Sequence, residues 1–170
     1  MSSTTVKSNN KKTIAFFGHG QRQEWAFMSN FYPCEIEDEG IKFTTSEQYY
    51  MYQKAKIMGD VQTADAIIEA KSPSDAKVLG KRIMPFSQIL WNQRKTQVMK
   101  RALHLKFANS PILKSKLIAT GDAILVEASP TDRIWGAGLL NDDPNINDPK
   151  KWRGLNLLGR CLMEVREELK

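Results

Sequence analysis

The chain is 170 residues long, 41% apolar and 26% charged, the make-up of one ordinary globular domain with enough length for a full-sized core. Lys plus Arg outnumber Asp plus Glu by 25 to 19, a net charge of +6, which favours phosphate-bearing partners but is too small an excess to define a nucleic-acid binder. Cys34 and Cys161 stand far apart with no CxxC spacing, which excludes a disulfide framework or a zinc-organised fold and fits a reducing, cytoplasmic setting; with neither a signal-peptide core nor an apolar run of about 18 residues, a soluble protein without a membrane span is expected.

Residues 1–12 (MSSTTVKSNNKK) carry too few apolar side chains to offset the entropy of ordering them. They are expected to be a disordered tail, leaving 13–170 as the one folded domain. Residues 13–17 (TIAFF) read as a short strand closed by Gly18-His19-Gly20, and residues 35–43 as a small hairpin turning at Asp38-Glu39-Gly40. Helix signals then take over. Thr45 with Gln48 makes a T-x-x-Q capping box whose helix Gly59 stops, Asp60 caps a helix over 61–70, and Ser72-Pro73 with Asp75 starts another. Residues 91–109 repeat at helical period, with Trp91, Val98, Ala102 and Leu105 on one stripe and Arg94, Lys95, Lys100 and Arg101 on the polar back. Ser110-Pro111 opens a further helix, and 123–128 (AILVEA) is the best candidate for a central strand. Residues 141–151, rich in Asn, Asp, Lys and Pro, read as an exposed loop, and 156–169 as a last helix burying Leu158, Cys161, Leu162, Val165 and Leu169. Many helices with a few short strands in non-alternating order predict an α+β fold, a single mostly helical domain with a small β-sheet.

The chain has no GxGxxG, P-loop, HExxH or GxSxG, and His19 and His104 alone cannot make a multi-histidine site, so no metal and no cofactor is expected. Carboxylates, lysines and aromatics remain. In 45–56 (TSEQYYMYQKAK), spacings of three and seven put Tyr50 and Lys54 on the helix face of Glu47, with Lys54 about 10 Å along the axis. A small substrate fits between them, and a lysine drawn into apolar surroundings supplies the neutral amine that imine chemistry requires. The same spacing also serves a Glu47 that complements the helix dipole and a Lys54 that snorkels to water. Residues 127–138 (EASPTDRIWGAG) follow the strand as a rigid loop carrying Glu127 and Asp132. Glycosidic cleavage uses such a pair, one acid to stabilise an oxocarbenium-like centre and one to handle protons; an Asx turn at Asp132 and an ion pair at Glu127 account for the pattern too. Trp91, Trp135 and Trp152 lie near loops or helix starts, where a ring serves either as a platform for a planar base or as core. Arg22, Lys81, Arg82, Arg133 and Arg153 offer charge for phosphates.

Seven blocks follow one another in a telling order: Ser29-Asn30-Phe31; 46–55 (SEQYYMYQKA); Lys106-Phe107; Thr120-Gly121-Asp122; Glu127-Ala128-Ser129-Pro130 with Asp132 and Trp135-Gly136-x-Gly138; Trp152-x-Gly154-x-Asn156-x-Leu158-Gly159; and Leu162-Met163-x-Val165-Arg166. Over residues 13–169 the chain thereby resembles the NADAR (YbiA-like) family. The resemblance implies an N-glycosidase domain, since members are linked to removal of ADP-ribose from guanine in DNA or nucleotides and to cleavage of phosphorylated riboflavin-pathway intermediates. Both reactions break a bond between ribose C1 and a nitrogen of a guanine-like heterocycle. By similarity Glu47, Lys54 and Asp132 are the expected catalytic residues and Trp91 and Trp135 the aromatic walls. Asn30 and Ser129 would supply hydrogen bonds, with Tyr50, Glu127 and Gly136 as further substrate contacts. The loop at 17–27, with Gly-His-Gly, Arg22 and Glu24, matches no family pattern.

The expected partner is ADP-ribosylated guanine or a small phosphorylated N-glycoside, with no metal, no membrane and no obligate protein partner. In the mechanism so implied, Lys54 captures the opened ribose as an imine, Glu47 shuttles protons, and Asp132 fixes the ribose hydroxyls or stabilises cationic charge. In the simpler version Glu47 activates water and Lys54 binds phosphate. Two other classes compete. A non-catalytic reader of ADP-ribose or modified nucleic acid is disfavoured by an acid and an amine sharing one helix face, and a plain basic nucleic-acid module by the lack of a dense Lys/Arg stripe with interleaved aromatics.

Overall fold

The computed structural model describes residues 11–17 and 24–170. Most of the expected N-terminal tail, and the loop segment with Gly18-His19-Gly20 and Arg22, lie outside the described residues. The elements are β1 (Thr13–Phe16), β2 (Ile36–Asp38), β3 (Ile41–Phe43), α1 (Ser46–Met58), α2 (Val61–Ile68), α3 (Pro73–Gly80), α4 (Gln88–Ala108), α5 (Pro111–Ala119), β4 (Ile124–Glu127) and α6 (Leu157–Glu168), with short 3-10 turns at Ala26–Met28 and Pro149–Lys151.

Local sequence explains most boundaries. The β2–β3 turn places Glu39 and Gly40 at φ of 51° and 77°, the pair of left-handed residues that a two-residue hairpin turn needs. Asp60, Ser72, Ser87 and Ser110 each accept the backbone N–H three residues on and so open α2 to α5. Because Ser87 supplies that cap, α4 starts at Gln88 rather than at Trp91. Thr45 accepts the Gln48 N–H at the start of α1, but Gln48 does not return the bond to Thr45. Its Oε1 accepts from the Thr44 N–H at 2.8 Å, and its Nε2 donates to the Ile67 and Ile68 carbonyls. Half of the capping box is thus spent on tying α1 to the end of α2.

Residues 123–128 do not form a central strand. Among the described residues β4 pairs only with β1, in parallel, with Thr13 opposite Ile124 and Phe16 opposite Glu127. The segment is apolar because both faces of a narrow ribbon are covered: Leu125 belongs to the main core with α4 and α6, and Val126 to a smaller cluster of Ala128, Ala137, Leu139 and Ile146. Trp152 packs on that smaller cluster and donates Nε1–H to the Ile146 carbonyl at 2.8 Å. It therefore anchors the 141–151 loop rather than serving as a base platform. In the main core α1 lies against α2, α3 and α4, while α6 lies against α4 and β4.

Candidate active site

A cavity of about 480 Å³ opens between the first half of α1, the segment 29–31, α3 and the loop that leaves β4. Glu47, Tyr50, Asn30, Glu127, Ser129, Asp132 and Trp135 line it; Lys54, Trp91 and Gly136 do not. Lys54 donates from Nζ to the Gly80 carbonyl at 2.8 Å and lies over the rings of Phe86 and Trp91, 4.8 and 5.9 Å from their centroids. Trp91 stands behind Tyr50 at 5.0 Å between centroids, and Tyr50 meets Trp135 edge-on at 5.4 Å. The three rings form a row in which Tyr50 and Trp135 line the cavity and Trp91 backs Tyr50 from outside it. Gly136 sits behind the loop, where a Cβ would come within 2.8 Å of both the Asp132 carbonyl oxygen and the Ser129 Cβ; glycine is what lets the loop fold upon itself.

The α1 wall is seated from below. Asn30 accepts the Glu47 N–H on its carbonyl at 3.1 Å and the Ser46 hydroxyl on Oδ1 at 3.1 Å. Beneath it Lys106, fully buried, donates Nζ–H to the Ser29 carbonyl at 2.7 Å between the rings of Tyr32 and Phe107. Burial pulls the Lys106 ammonium down to about 8, against the opposing influence of Cys34. Glu47 is only 6% exposed. Burial pushes its carboxyl up to about 7, with Lys77 and Lys54 opposing and the Asp132 charge adding. Burial, with the Glu47 charge adding, also raises the Tyr50 phenol well above its ordinary range, so it stays protonated. Burial lowers Lys54, and Glu47 opposes it.

The facing wall is the loop after β4. The Oδ1 of Asp132 accepts the Ile134 and Trp135 N–H groups at 2.9 and 2.8 Å, and the Asp132 N–H donates to the Ser129 hydroxyl at 3.2 Å. The Asx turn is real, and Asp132 lines the cavity as well. Glu127 donates its N–H to Asn156 Oδ1 at 3.0 Å, and its carbonyl accepts from Ala137 at 2.9 Å. Its Oε2 is sealed from solvent and has no hydrogen-bond partner among the described residues. Burial pushes this carboxyl up to about 8, the charges of Asp132 and Glu47 adding and Lys77 opposing.

Sequence reasoning missed two residues that the site depends on. Lys77 of α3 lines the cavity, with Nζ 5.6 Å from the Phe31 ring centroid. A lysine on the exposed side of a short helix carries no periodic signal that separates it from solvated surface. Asn156, fully buried at φ 50°, also donates Nδ2–H to the Leu125 carbonyl at 2.9 Å and so holds β4 at the residues around Glu127. Its signal was its place in the Trp152-to-Gly159 block, since Asn tolerates left-handed φ better than most side chains. Among the described residues no group of three His, Cys, Asp or Glu side chains is disposed to hold a metal ion, and no helix is long and apolar enough to cross a membrane.

Comparison with known proteins places this geometry in a family. The NADAR domain matches residues 16–170. Protein irg-1 of Caenorhabditis elegans is 41% identical over 83% of this chain and 74% of its own. N-glycosidase R617 of Acanthamoeba polyphaga mimivirus is 35% identical over 92% of this chain and 96% of its own. The chloroplastic riboflavin biosynthesis protein PYRR of Zea mays is 37% identical over 83% of this chain but only 23% of its own. The solution structure of Escherichia coli YbiA superposes with a TM-score of 0.74 at 31% identity, covering 93% of this chain and 86% of that one. With the same mostly helical α+β architecture and a domain match from β1 to the C-terminus, the chain belongs to the NADAR family.

Proposed function

We propose that the protein is an N-glycosidase that hydrolyses the bond between ribose C1 and a nitrogen of a guanine-like base, and that its reaction is removal of ADP-ribose from guanine in DNA or nucleotides, in the cytoplasm and without a metal. The observation that carries this reading is the pairing of a buried Glu47, pushed up to about 7, with Asp132 across a cavity sized for a ribosyl heterocycle. The name of the mimiviral relative, an N-glycosidase matched along nearly its whole length, supports it.

Water attacks C1 as the C1–N bond breaks. Glu47, in its ionised form, takes the proton from that water. The oxygen of Asp132 not engaged by Ile134 and Trp135 faces the ribose and steadies its hydroxyls or the positive charge at C1. Trp135 and Phe31 flank the planar base, and Lys77 meets the phosphates at the rim. Phosphorylated riboflavin-pathway intermediates are the alternative substrates, which the printed name of the maize relative favours. The imine route through Lys54 is a second reading, supported by the lowered basicity of that amine.

The test incubates purified protein with ADP-ribosylated guanine in an oligonucleotide, with the same modification on a free nucleotide, and with the phosphorylated ribosylamino-pyrimidine of riboflavin synthesis. Fastest release of ADP-ribose from the guanine substrates is expected. Exclusive turnover of the pyrimidine would replace the substrate, and tight binding with no turnover of any would leave a reader in place of an enzyme.

A further inference from the structure

The cavity holds one carboxyl more than water activation and ribose binding require. Glu127 stands on the wall opposite Glu47, and three of its features are unusual for a side chain that merely contacts substrate. Its backbone is clamped by Asn156, Ser129 and Ala137, so the carboxyl is aimed by the fold rather than by solvent. Among the described residues no N–H or hydroxyl reaches its Oε2, which is sealed from solvent, so an ionised Glu127 would hold charge on an oxygen to which none of them donates. The charged groups that influence it are Glu47 from α1, Asp132 from its own loop and Lys77 from α3. Among the described residues three carboxyls thus line one cavity with one ammonium, and like charges sharing a cavity favour keeping a proton among them.

We infer that Glu127 is the acid of the reaction: it carries a proton into the free enzyme and passes it to the departing heterocycle, while Glu47 takes the proton of the attacking water. This rests on the N-glycosidase reading above. The balance is complete. The C1–N electron pair goes to the ring nitrogen, which receives the Glu127 proton; the water oxygen bonds to C1 and its proton goes to Glu47. The cycle closes when the proton passes from Glu47 back to Glu127 through water in the emptied cavity. The sealed Oε2 serves as the carbonyl-type oxygen, and the proton rides on Oε1. Burial of both groups fits the division of labour, since a base must be ionised and an acid protonated at one pH.

Two measurements test the inference. In protein labelled with ¹³C at the glutamate carboxyls, one signal should titrate near 8, vanish in Glu127→Gln and stay in Glu47→Gln. If every glutamate carboxyl titrates in the ordinary range of about 4 to 5, the proton is not there and the inference falls. The second measurement is kcat/KM from pH 5 to 10 (working limits, roughly) on whichever of the three substrates above is cleaved fastest. Wild type should give a bell; Glu127→Gln should be slowed roughly 100-fold and lose the alkaline limb, and Glu47→Gln should lose the acidic one. A Glu127→Gln enzyme that keeps its alkaline limb, or cleaves at the wild-type rate, overturns the role. Glu127→Asp, which retains a titrating group, should keep the limb and separate lost chemistry from lost folding. If wild type cleaves none of the three, the N-glycosidase reading fails, and the carboxyl titration still decides where the proton sits.

Discussion

On one side of the cavity α1 presents Glu47 and Tyr50 from a helix whose own backbone ladder sets their spacing and whose first turn is seated on Asn30. On the other side Glu127 ends β4, and Ser129, Asp132 and Trp135 hang on the irregular loop that follows it, whose carbonyls are satisfied one by one from a distant segment. Arg133, Ile134, Trp135 and Gly136 accept from the N–H groups of Leu155, Leu157, Leu158 and Asn156, and Ala137 accepts from Arg153 and Gly154. Helix periodicity sets the first wall, so it tolerates change at neighbouring positions; a tertiary ladder sets the second, and one poorly chosen residue dislodges several functional groups together. Substitutions on the helix wall should therefore alter chemistry with little effect on stability, and those on the loop wall should alter both.

The largest effect expected on the helix wall is that of Glu47→Gln. It preserves shape and removes the titrating group, so kcat should drop by about 10² to 10⁴ while Tm stays within a few degrees. Near-wild-type turnover would remove Glu47 from the mechanism.

On the loop wall, Asn156→Ala should cost about 4 kcal/mol in denaturant unfolding, because it orphans the buried Glu127 N–H and Leu125 carbonyl and puts alanine at φ 50°. Activity should fall with stability, since Glu127 loses its anchor. A stable but inactive Asn156→Ala protein would show that the ladder is not what supports this wall.

Lys106 probes the seat of the helix wall through pH. Its folded value of about 8 lies below the ordinary lysine value, so between those two the unfolded state binds more protons and stability rises with pH. Below about 8 the penalty for a buried ammonium is present in full. Lys106→Met carries no such group, so wild-type stability relative to this variant should rise by about 3 kcal/mol from neutral pH to beyond the unfolded lysine value. Denaturant midpoints of the two proteins that run parallel across that window would mean that Lys106 is solvated.

The same contrast sorts what was legible in the sequence. Helix starts were written in local chemistry, in Thr45, Asp60, Ser72 and Ser110, each of which caps as its sequence suggests. The hairpin turn was written in Asp38-Glu39-Gly40. Glu47 and Tyr50 followed from spacing along one helix. Where spacing failed was in the direction of a long side chain: Lys54 shares the Glu47 face, yet Gly80 of α3 offers its amine a carbonyl and Phe86 a ring. Lys77, which does reach the cavity, belongs to a different helix whose angle to α1 is set by packing. Residues 123–128 read as central because an apolar run records that both faces are covered without recording what covers them.

The two lysines give the smallest expected effects and the finest test of the helix wall. Arginine at position 54 keeps the charge, can still donate to the Gly80 carbonyl and stacks on Phe86 and Trp91, but it is not a nucleophile at neutral pH. With water as the nucleophile, Lys54→Arg should lose less than about tenfold in kcat, and borohydride added during turnover should leave the protein unlabelled. Lys77→Met should raise KM about tenfold for a phosphorylated substrate at nearly constant kcat, the pattern of a lost contact made equally in ground and transition states. A reduced adduct on Lys54, together with an inactive Lys54→Arg enzyme, would reverse the assignment. The reacting surface of α1 would then run two helical turns from Glu47, and Lys54 would have to leave Gly80 for the ribose during each cycle. An adduct on Lys77 would keep the imine chemistry and move it to α3, so that the helix wall would hold the acid–base group while the amine came from the helix packed beside it.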